Sequence, residues 1–209
     1  MTEQGGRYYL ESAVFDSSKD ARDVLEDVSR ILDVMNGVAR LVCQNFEGPR
    51  VDGIKRIEKN GRPPTQFIMP TGIPSAERFG ITAITVRSGQ EPSQPPSIPG
   101  SKWIETAEKD RSVDKALALY GGLTHNWRNL YMVLEAIEDD IGGENGLIGK
   151  GWAQKDKIKL FKHTANSFIS LGYQARHATA TKKAPQKPMS LDDAKSLIKN
   201  ILENWLCSK

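Results

Sequence analysis

The sequence has few of the residues that mark secreted, membrane-embedded or metal-binding proteins. Its 209 residues include only two cysteines, Cys43 and Cys207, and three histidines. The cysteines have neither disulfide nor metal-ligand spacing, which favours a reducing cytoplasm. No run approaches the roughly 20 apolar residues that span a bilayer, and residues 1–7 have no apolar signal-peptide segment. We therefore expect a cytoplasmic protein that is not membrane-embedded and has no metal centre and no cofactor.

Motifs for several common chemistries are also missing. The sequence has no Gly-x-Ser-x-Gly turn for a nucleophilic serine and no His-Glu-x-x-His zinc motif. The glycine-rich segment 141–151 ends in Gly149-Lys150-Gly151. A phosphate-binding loop needs Ser or Thr after Gly-Lys, and an earlier glycine where Glu144 stands. We interpret the segment as a flexible loop between helices and do not expect nucleotide hydrolysis.

Prolines divide the chain. Residues 88–102 contain four of them, which remove backbone donors and disfavour both helix and central strand. All four tryptophans lie after this segment. We predict an α+β protein with a small unit at residues 1–90, a proline-rich linker at 91–102 and a helical bundle at 103–209.

The N-terminal unit combines alternating and helical patterns. Residues 8–15 alternate and predict a strand, and residues 21–42 repeat apolar side chains at helical spacing. Asn36-Gly37 could loosen or end that helix early. Residues 51–59 and 66–69 flank Asn60-Gly61, a hairpin signal, and residues 79–87 predict a last strand. We expect one helix on a small, mainly antiparallel sheet of four strands.

The C-terminal half predicts four amphipathic helices that bury their apolar faces against one another. We expect Ser112 and Thr124 to cap the first two, and glycine pairs at 121–122 and 142–143 to end them. The third runs from about Ile158 to Gly172. The fourth starts at Ser190 and carries Trp205 on its apolar face.

Charge is unevenly distributed in this half. Residues 131–149 contain five acidic residues and no lysine or arginine. Residues 150–187 contain nine basic residues against Asp156 alone, a net charge of +8. So basic a stretch could bind phosphates. Alternatively it is a solvated face that pairs with the acidic stretch. Five lysines are the candidate nucleic-acid contacts: Lys157, Lys159, Lys162, Lys182 and Lys183.

Four polar residues of the basic segment form the candidate catalytic set: His163, Asn166, Arg176 and His177. His163 and Asn166 share a helix face because they are three residues apart. Imidazole is a general acid or base near neutral pH, and guanidinium can hold a phosphate. Such a set would suffice for metal-independent RNA cleavage through the 2′-hydroxyl. Alternatively, Arg176 and His177 are structural and bind helix-end carbonyls or nearby carboxylates.

Glu135, Glu138 and Asp139 could share a face of the second helix and bind a divalent ion. No Glu-x-x-His accompanies them, so this is not a di-iron pattern. We interpret them as a solvated acidic helix end.

A series of short segments resembles a family of bacterial proteins without assigned function. It comprises Trp127-Arg128-Asn129-Leu130-Tyr131, residues 161–166, Ala175-Arg176-His177-Ala178, Pro188-Met189-Ser190-Leu191 and a last helix ending in Trp205-Leu206. The resemblance covers about half of the chain. The bundle, with Arg and His near a helix end, is also distantly similar to HEPN domains, many of which are ribonucleases of toxin or phage-defence systems. HEPN nucleases separate the Arg and the His on one helix, whereas Arg176 and His177 are adjacent.

The expected function is a bacterial cytoplasmic binding or interaction module that contacts RNA or a protein. Its place in a defence or stress system follows from the resemblance. One alternative is a metal-independent, HEPN-like ribonuclease that uses His163 and His177, with Arg176 on phosphate. Another is a structural homo-oligomer assembled through aromatic faces of the bundle.

Overall fold

The computed structural model describes residues 2–4, 7–10, 12–16, 20–43, 46, 48–49, 51, 53–56, 65–68, 99–122, 125–177 and 183–209. These residues are mostly helical. None of the described helices is both long and apolar enough to cross a membrane. The chain divides into two compact units, residues 1–29 with 50–98, and residues 30–49 with 99–209.

The first unit contains short strands in two separate antiparallel pairs. Strand β1, Thr2–Gln4, pairs with β2, Arg7–Tyr9, and Thr2 lies opposite Tyr9. Strand β3, Gly53–Arg56, pairs with β4, Thr65–Ile68. Among the described residues these pairs share no strand, so the predicted α+β class with one four-stranded sheet is not supported.

One strand prediction in this unit is partly wrong, and two other predicted features fall outside the described residues. Ala13–Asp16, the end of the predicted first strand, forms a short helix, α1. Strands β3 and β4 occupy the positions of the predicted hairpin, whose Asn60-Gly61 turn lies outside the described residues. The predicted strand at residues 79–87 also lies outside them.

Helix α2 spans Ala21–Val42 without interruption. The Asp20 side chain accepts hydrogen bonds from the Arg22 and Asp23 N–H groups at 2.8 and 3.0 Å, so it caps the first turn. The expectation that Asn36-Gly37 would loosen the helix is wrong, because the helix continues for five residues beyond Gly37. Residues 30–49 group with the second unit rather than with the rest of the N-terminal segment.

The second unit adds a succession of helices to this part of α2. They are α3 (Pro99–Lys109), α4 (Arg111–Gly121), α5 (Trp127–Ile141), α6 (Glu144–Gly149), α7 (Lys155–Ala165), α8 (Phe168–Leu171) and α9 (Leu191–Cys207). Residues 91–98 of the predicted linker lie outside the described residues, but residues 99–102 are helical. Pro99 suits the first helical position because it has no N–H to leave unpaired.

Several helix ends differ from the prediction. Asp110, not Ser112, caps α4, and its carboxylate accepts from the Ser112 N–H at 2.9 Å. Asn126 caps α5 by accepting from the Asn129 N–H, whereas Thr124 lies outside the described residues. The glycine-rich segment contains α6 and is not simply a flexible loop. The predicted third helix breaks at residues 166–167.

Other predictions for the bundle are confirmed. Ser190 caps α9 by accepting from the Asp193 N–H at 3.1 Å. Gly142 ends α5 in the left-handed conformation with φ of 81°. Most side chains of the predicted apolar stripes form one buried core, whereas Ile169 of the predicted third helix is exposed. The largest fully buried side chains include Trp127, Leu134, Ile137, Phe161 and Trp205. Helix α5 packs against α4, α6, α7 and α9 and is therefore the centre of this unit.

Two glycines allow α2 and α4 to approach at backbone distance. A Cβ atom at Gly37 would overlap the Leu117 carbonyl oxygen, and one at Gly121 would overlap the Asp33 carbonyl oxygen. The opposing atoms are backbone, so they cannot move aside as the end of a side chain can. The glycines are therefore packing residues, and Gly37 is a helix-interior contact rather than a break.

We predict that Gly121→Ala lowers the free energy of unfolding by about 1–3 kcal/mol or more, because the helices must separate to admit one methyl group. Urea denaturation followed by circular dichroism measures this. Gly149→Ala is the matched control, because a Cβ there meets no atom within 4 Å. Equal stability of the two variants would contradict the close approach of α2 and α4.

Candidate functional site

Residues 166–177 bring the candidate catalytic side chains back toward the end of α7. Ser167 caps α8, and a 3-10 turn at Gly172–Gln174 follows. The Arg176 N–H then donates to the Ala165 carbonyl oxygen at 2.8 Å. This backbone bond places Arg176 beside the last turn of α7.

The Arg176 side chain has two partners on α5. Its Nη2 lies 2.9 Å from Glu135 Oε1, and its guanidinium carbon lies 4.3 Å from the centre of the Tyr131 ring. A planar guanidinium suits both a carboxylate and an aromatic face. Arg176 therefore holds the 166–177 segment against α5. This agrees with the alternative interpretation in which Arg176 is a structural residue that binds a nearby carboxylate.

Asn166 shares Tyr131 with Arg176. Its Nδ2 donates to the Lys162 carbonyl oxygen at 2.8 Å and lies 3.5 Å from the Tyr131 hydroxyl. Its Oδ1 is buried and has no hydrogen-bond partner among the described residues. The structure thus brings Asn166 and Arg176 together around one tyrosine.

The two candidate histidines take no part in the contacts that join Asn166 and Arg176 to Tyr131. His163 is exposed, and its Nε2 donates to the Lys183 carbonyl oxygen at 2.8 Å. In the neutral imidazole that bond assigns the proton to Nε2. His177 is exposed and makes no hydrogen bond within the described part of the chain. No hydrogen bond or ring contact among the described residues joins either histidine side chain to that of Arg176.

Lys162 points toward the acidic end of α5. Its Nζ contacts both oxygens of Glu138, at 2.7 and 3.0 Å, and lies 3.2 Å from Glu144 Oε2. Partial burial lowers the pKa of Lys162, but the two glutamates outweigh it and raise the pKa above its usual value. Lys162 is therefore charged and already paired.

Other lysines of the basic segment face solvent without an acidic partner among the described residues: Lys150, Lys155, Lys157, Lys159, Lys183 and Lys187. Lys182 lies outside the described residues. Lys155, Lys159 and His163 recur every four residues and share one face of α7. The His163–Lys183 bond brings the Lys183 backbone to the same face. We call Lys155, Lys159, His163 and Lys183 the α7 basic face.

Two of the clefts formed by the described residues of this unit differ in charge. The larger, about 550 Å³, is lined by Lys115, Gly142, Gly143 and three carboxylates, those of Glu135, Glu138 and Asp139. Arg176 and Lys162 neutralise two of the carboxylates. No group of three or more His, Cys, Asp or Glu side chains in the described part of the chain could hold a metal ion.

The smaller cleft, about 320 Å³, lies where α7 begins and is one that the sequence did not reveal. Its lining residues are Gly151, Trp152, Ala153, Gln154, Lys157, Leu197 and Asn200. The clustering of Lys150, Trp152 and Lys157 was a signal for it, but the contribution of α9 could not be read from the sequence. We call it the Trp152 cleft.

Sequence analysis also missed two aromatic groups. Tyr173 is 96% exposed and meets Phe168 edge-on at 5.8 Å, so its ring is open to solvent just beyond α7. His125 is half-buried, stacks on Tyr120 with ring centres 4.4 Å apart, and donates from Nε2 to the Tyr120 carbonyl oxygen at 2.6 Å. Arg40 Nη1 lies 3.4 Å from that nitrogen and donates to the Gly122 carbonyl oxygen.

Comparisons with protein families, curated proteins and solved structures find no match for this chain.

We predict that Arg176→Ala lowers the free energy of unfolding by about 1 kcal/mol, because it removes a partly exposed ion pair and a cation–π contact. Arg128→Ala on α5 is the matched control, because Arg128 is exposed and makes no ion pair with a described residue. Denaturation of Arg176→Ala, Glu135→Ala and the double variant measures the coupling. Additive losses would show that the Arg176–Glu135 pair contributes nothing.

We predict that the protein loses stability as the pH falls from 8 to 5.5, and that His125→Gln weakens this loss. Burial, with the charges of Arg40 and Lys195, lowers the pKa of His125 against the opposing effect of the Tyr120 carbonyl. The unfolded chain then binds more protons near pH 6.5, so stability rises with pH through this window. Melting temperatures of both proteins across the range test this, and parallel curves would contradict it.

Proposed function

We propose that this protein is a cytoplasmic nucleic-acid-binding module that contacts phosphates through the α7 basic face. The observation that carries the proposal is the division of the basic residues into two sets. Lys162 and Arg176 are neutralised by α5 carboxylates. Lys155, Lys159 and Lys183 are exposed, and no carboxylate of the described residues lies within ion-pair distance.

An unpaired row of lysines supports binding because a phosphate would not have to displace an ion pair with any described carboxylate. Phosphates that replace counterions around such a row give affinity that is independent of base sequence. Aromatic side chains flank α7 in the sequence: Trp152 precedes it by three residues, and the exposed Tyr173 follows the short helix α8. Aromatic rings beside a basic track are typical of proteins that hold single strands, because bases stack on them.

The contacts of the candidate catalytic residues support binding more than cleavage. Arg176 and Asn166 are engaged with α5 and with the end of α7. The His163 Nε2 proton is used in the bond to Lys183. A general acid and base pair needs two groups that reach the same phosphodiester. We therefore propose binding, and ribonuclease activity is one of the alternative outcomes of the experiment below.

We predict that the protein binds single-stranded RNA with an affinity that falls as salt rises. Replacing Lys155 and Lys159 together by Glu should reduce the slope of log K against log salt by about 0.7 for each phosphate that the variant no longer neutralises. Fluorescence anisotropy with a labelled short oligonucleotide, at several salt concentrations, measures both affinity and slope.

Replacing Lys102 and Lys109 by Glu is the matched control, because both lysines are exposed on α3 and the charge change is the same. Equal weakening by the two double variants would show general charge attraction and would refute the α7 basic face. Cleavage that persists in EDTA and is lost in His163→Ala would support the ribonuclease. A concentration-dependent mass without RNA binding would support the homo-oligomer.

A further inference from the structure

The Trp152 cleft combines an aromatic wall with positive charge and has no acidic side chain among its lining residues. Lys157 lines it, and the Lys150 ammonium lies 5.0 Å from the centre of the Trp152 ring. Trp152 is partly buried and Lys150 is exposed, so the indole lies close enough to the surface to contact a solvent-exposed ammonium. By contrast, three carboxylates line the larger cleft.

The local backbone holds this arrangement in place. Gly151 has φ of 70°, which turns the chain between α6 and α7. The Trp152 N–H then donates to the Leu147 carbonyl oxygen at 3.1 Å, and its carbonyl oxygen accepts from Asn200 Nδ2 at 3.0 Å. Trp152 is thus fixed to α6 and to α9, and part of its side chain packs against the core. A ligand would meet a preformed wall rather than a mobile side chain.

The size and polarity of the cleft restrict its ligand. About 320 Å³ lies at the small end of the range for small-molecule sites. Trp152 and Leu197 supply apolar area, while Gln154 and Asn200 supply donors and acceptors suited to base edges. Gln154 does not cap α7 through its side chain, so the first N–H groups of that helix have no side-chain acceptor from it. Flat, partly polar and anionic ligands fit these features together.

We propose that the Trp152 cleft binds a nucleobase that carries a phosphate, with the base stacked on Trp152 and the phosphate held by Lys150 and Lys157. This inference rests on the proposed function and deepens it, because the base would be one nucleotide of the bound strand where it passes the start of α7. The same chemistry is offered by a free mononucleotide. The two sources therefore form separate arms of the test.

Tryptophan fluorescence provides a direct signal, because stacking on a base quenches indole emission. Trp127 and Trp205 are buried, so Trp152 and the partly buried Trp103 are the accessible indoles. The full chain with Trp103→Phe is titrated with a short single-stranded oligoadenylate and, separately, with adenosine monophosphate. We expect quenching by the oligonucleotide. Trp152→Leu should weaken binding about tenfold, and Trp152→Phe less.

Lys157→Gln leaves the core untouched and tests the phosphate contact if Trp152→Leu fails to fold. It should weaken binding and reduce quenching at a given concentration. Quenching by the mononucleotide without strand binding would support the cleft while refuting the proposed function. Salt-dependent strand binding with unchanged emission, and with equal affinity in Lys157→Gln, would overturn the cleft and leave the proposed function standing.

Discussion

The second unit depends on helix α5, which buries seven side chains and carries four carboxylates in its C-terminal half. The helix packs against α4, α6, α7 and α9. The carboxylates of α5 bind side chains from the segments that surround the helix. Glu135 binds Arg176, Glu138 binds Lys162, and Asp140 accepts from Trp205 Nε1 at 2.8 Å and from Lys209 Nζ at 2.9 Å. Removing a buried partner of such a bond costs more than the bond itself contributes, because the other group stays desolvated. The indole of Trp205, fully buried and bonded to Asp140, is the strongest case.

The same carboxylates sort the basic residues that follow them in the chain. A net charge of +8 over residues 150–187 suggests one continuous positive surface. Pairing with α5 removes Lys162 and Arg176 from it and leaves the exposed lysines of α7. Tertiary contacts determine the sorting, since Lys162 and Lys155 are seven residues apart and share one side of α7, but only Lys162 lies beside the carboxylates of Glu138 and Glu144. Binding and stability should therefore respond to different lysines, which is the property that makes the charge-reversal experiment informative.

Periodicity and capping rules predict much of the bundle, because each depends on residues close together in sequence. The buried positions of α5 and α9, the Ser190 cap and the Gly142 ending follow in this way. The rules fail where contacts with a distant segment determine the local structure. Gly37 is unfavourable in an isolated helix, but its missing side chain admits the Leu117 backbone. Asp110 caps α4 in place of Ser112, and its carboxylate also binds Lys209 at 2.7 Å. The Trp152 cleft needs residues from α9 that lie some forty positions away.

Arg176 and His177 illustrate how tertiary contacts separate residues that a sequence groups together. The Arg176 N–H bonds to the end of α7 and its guanidinium covers Tyr131, so this residue faces α5. His177, the next residue, is exposed and makes no hydrogen bond among the described residues. The two adjacent side chains thus have different surroundings, one anchored to α5 and the other exposed. This difference argues against joint action on one phosphate. It leaves His177 free to contact a ligand that Arg176, held by Glu135, does not reach.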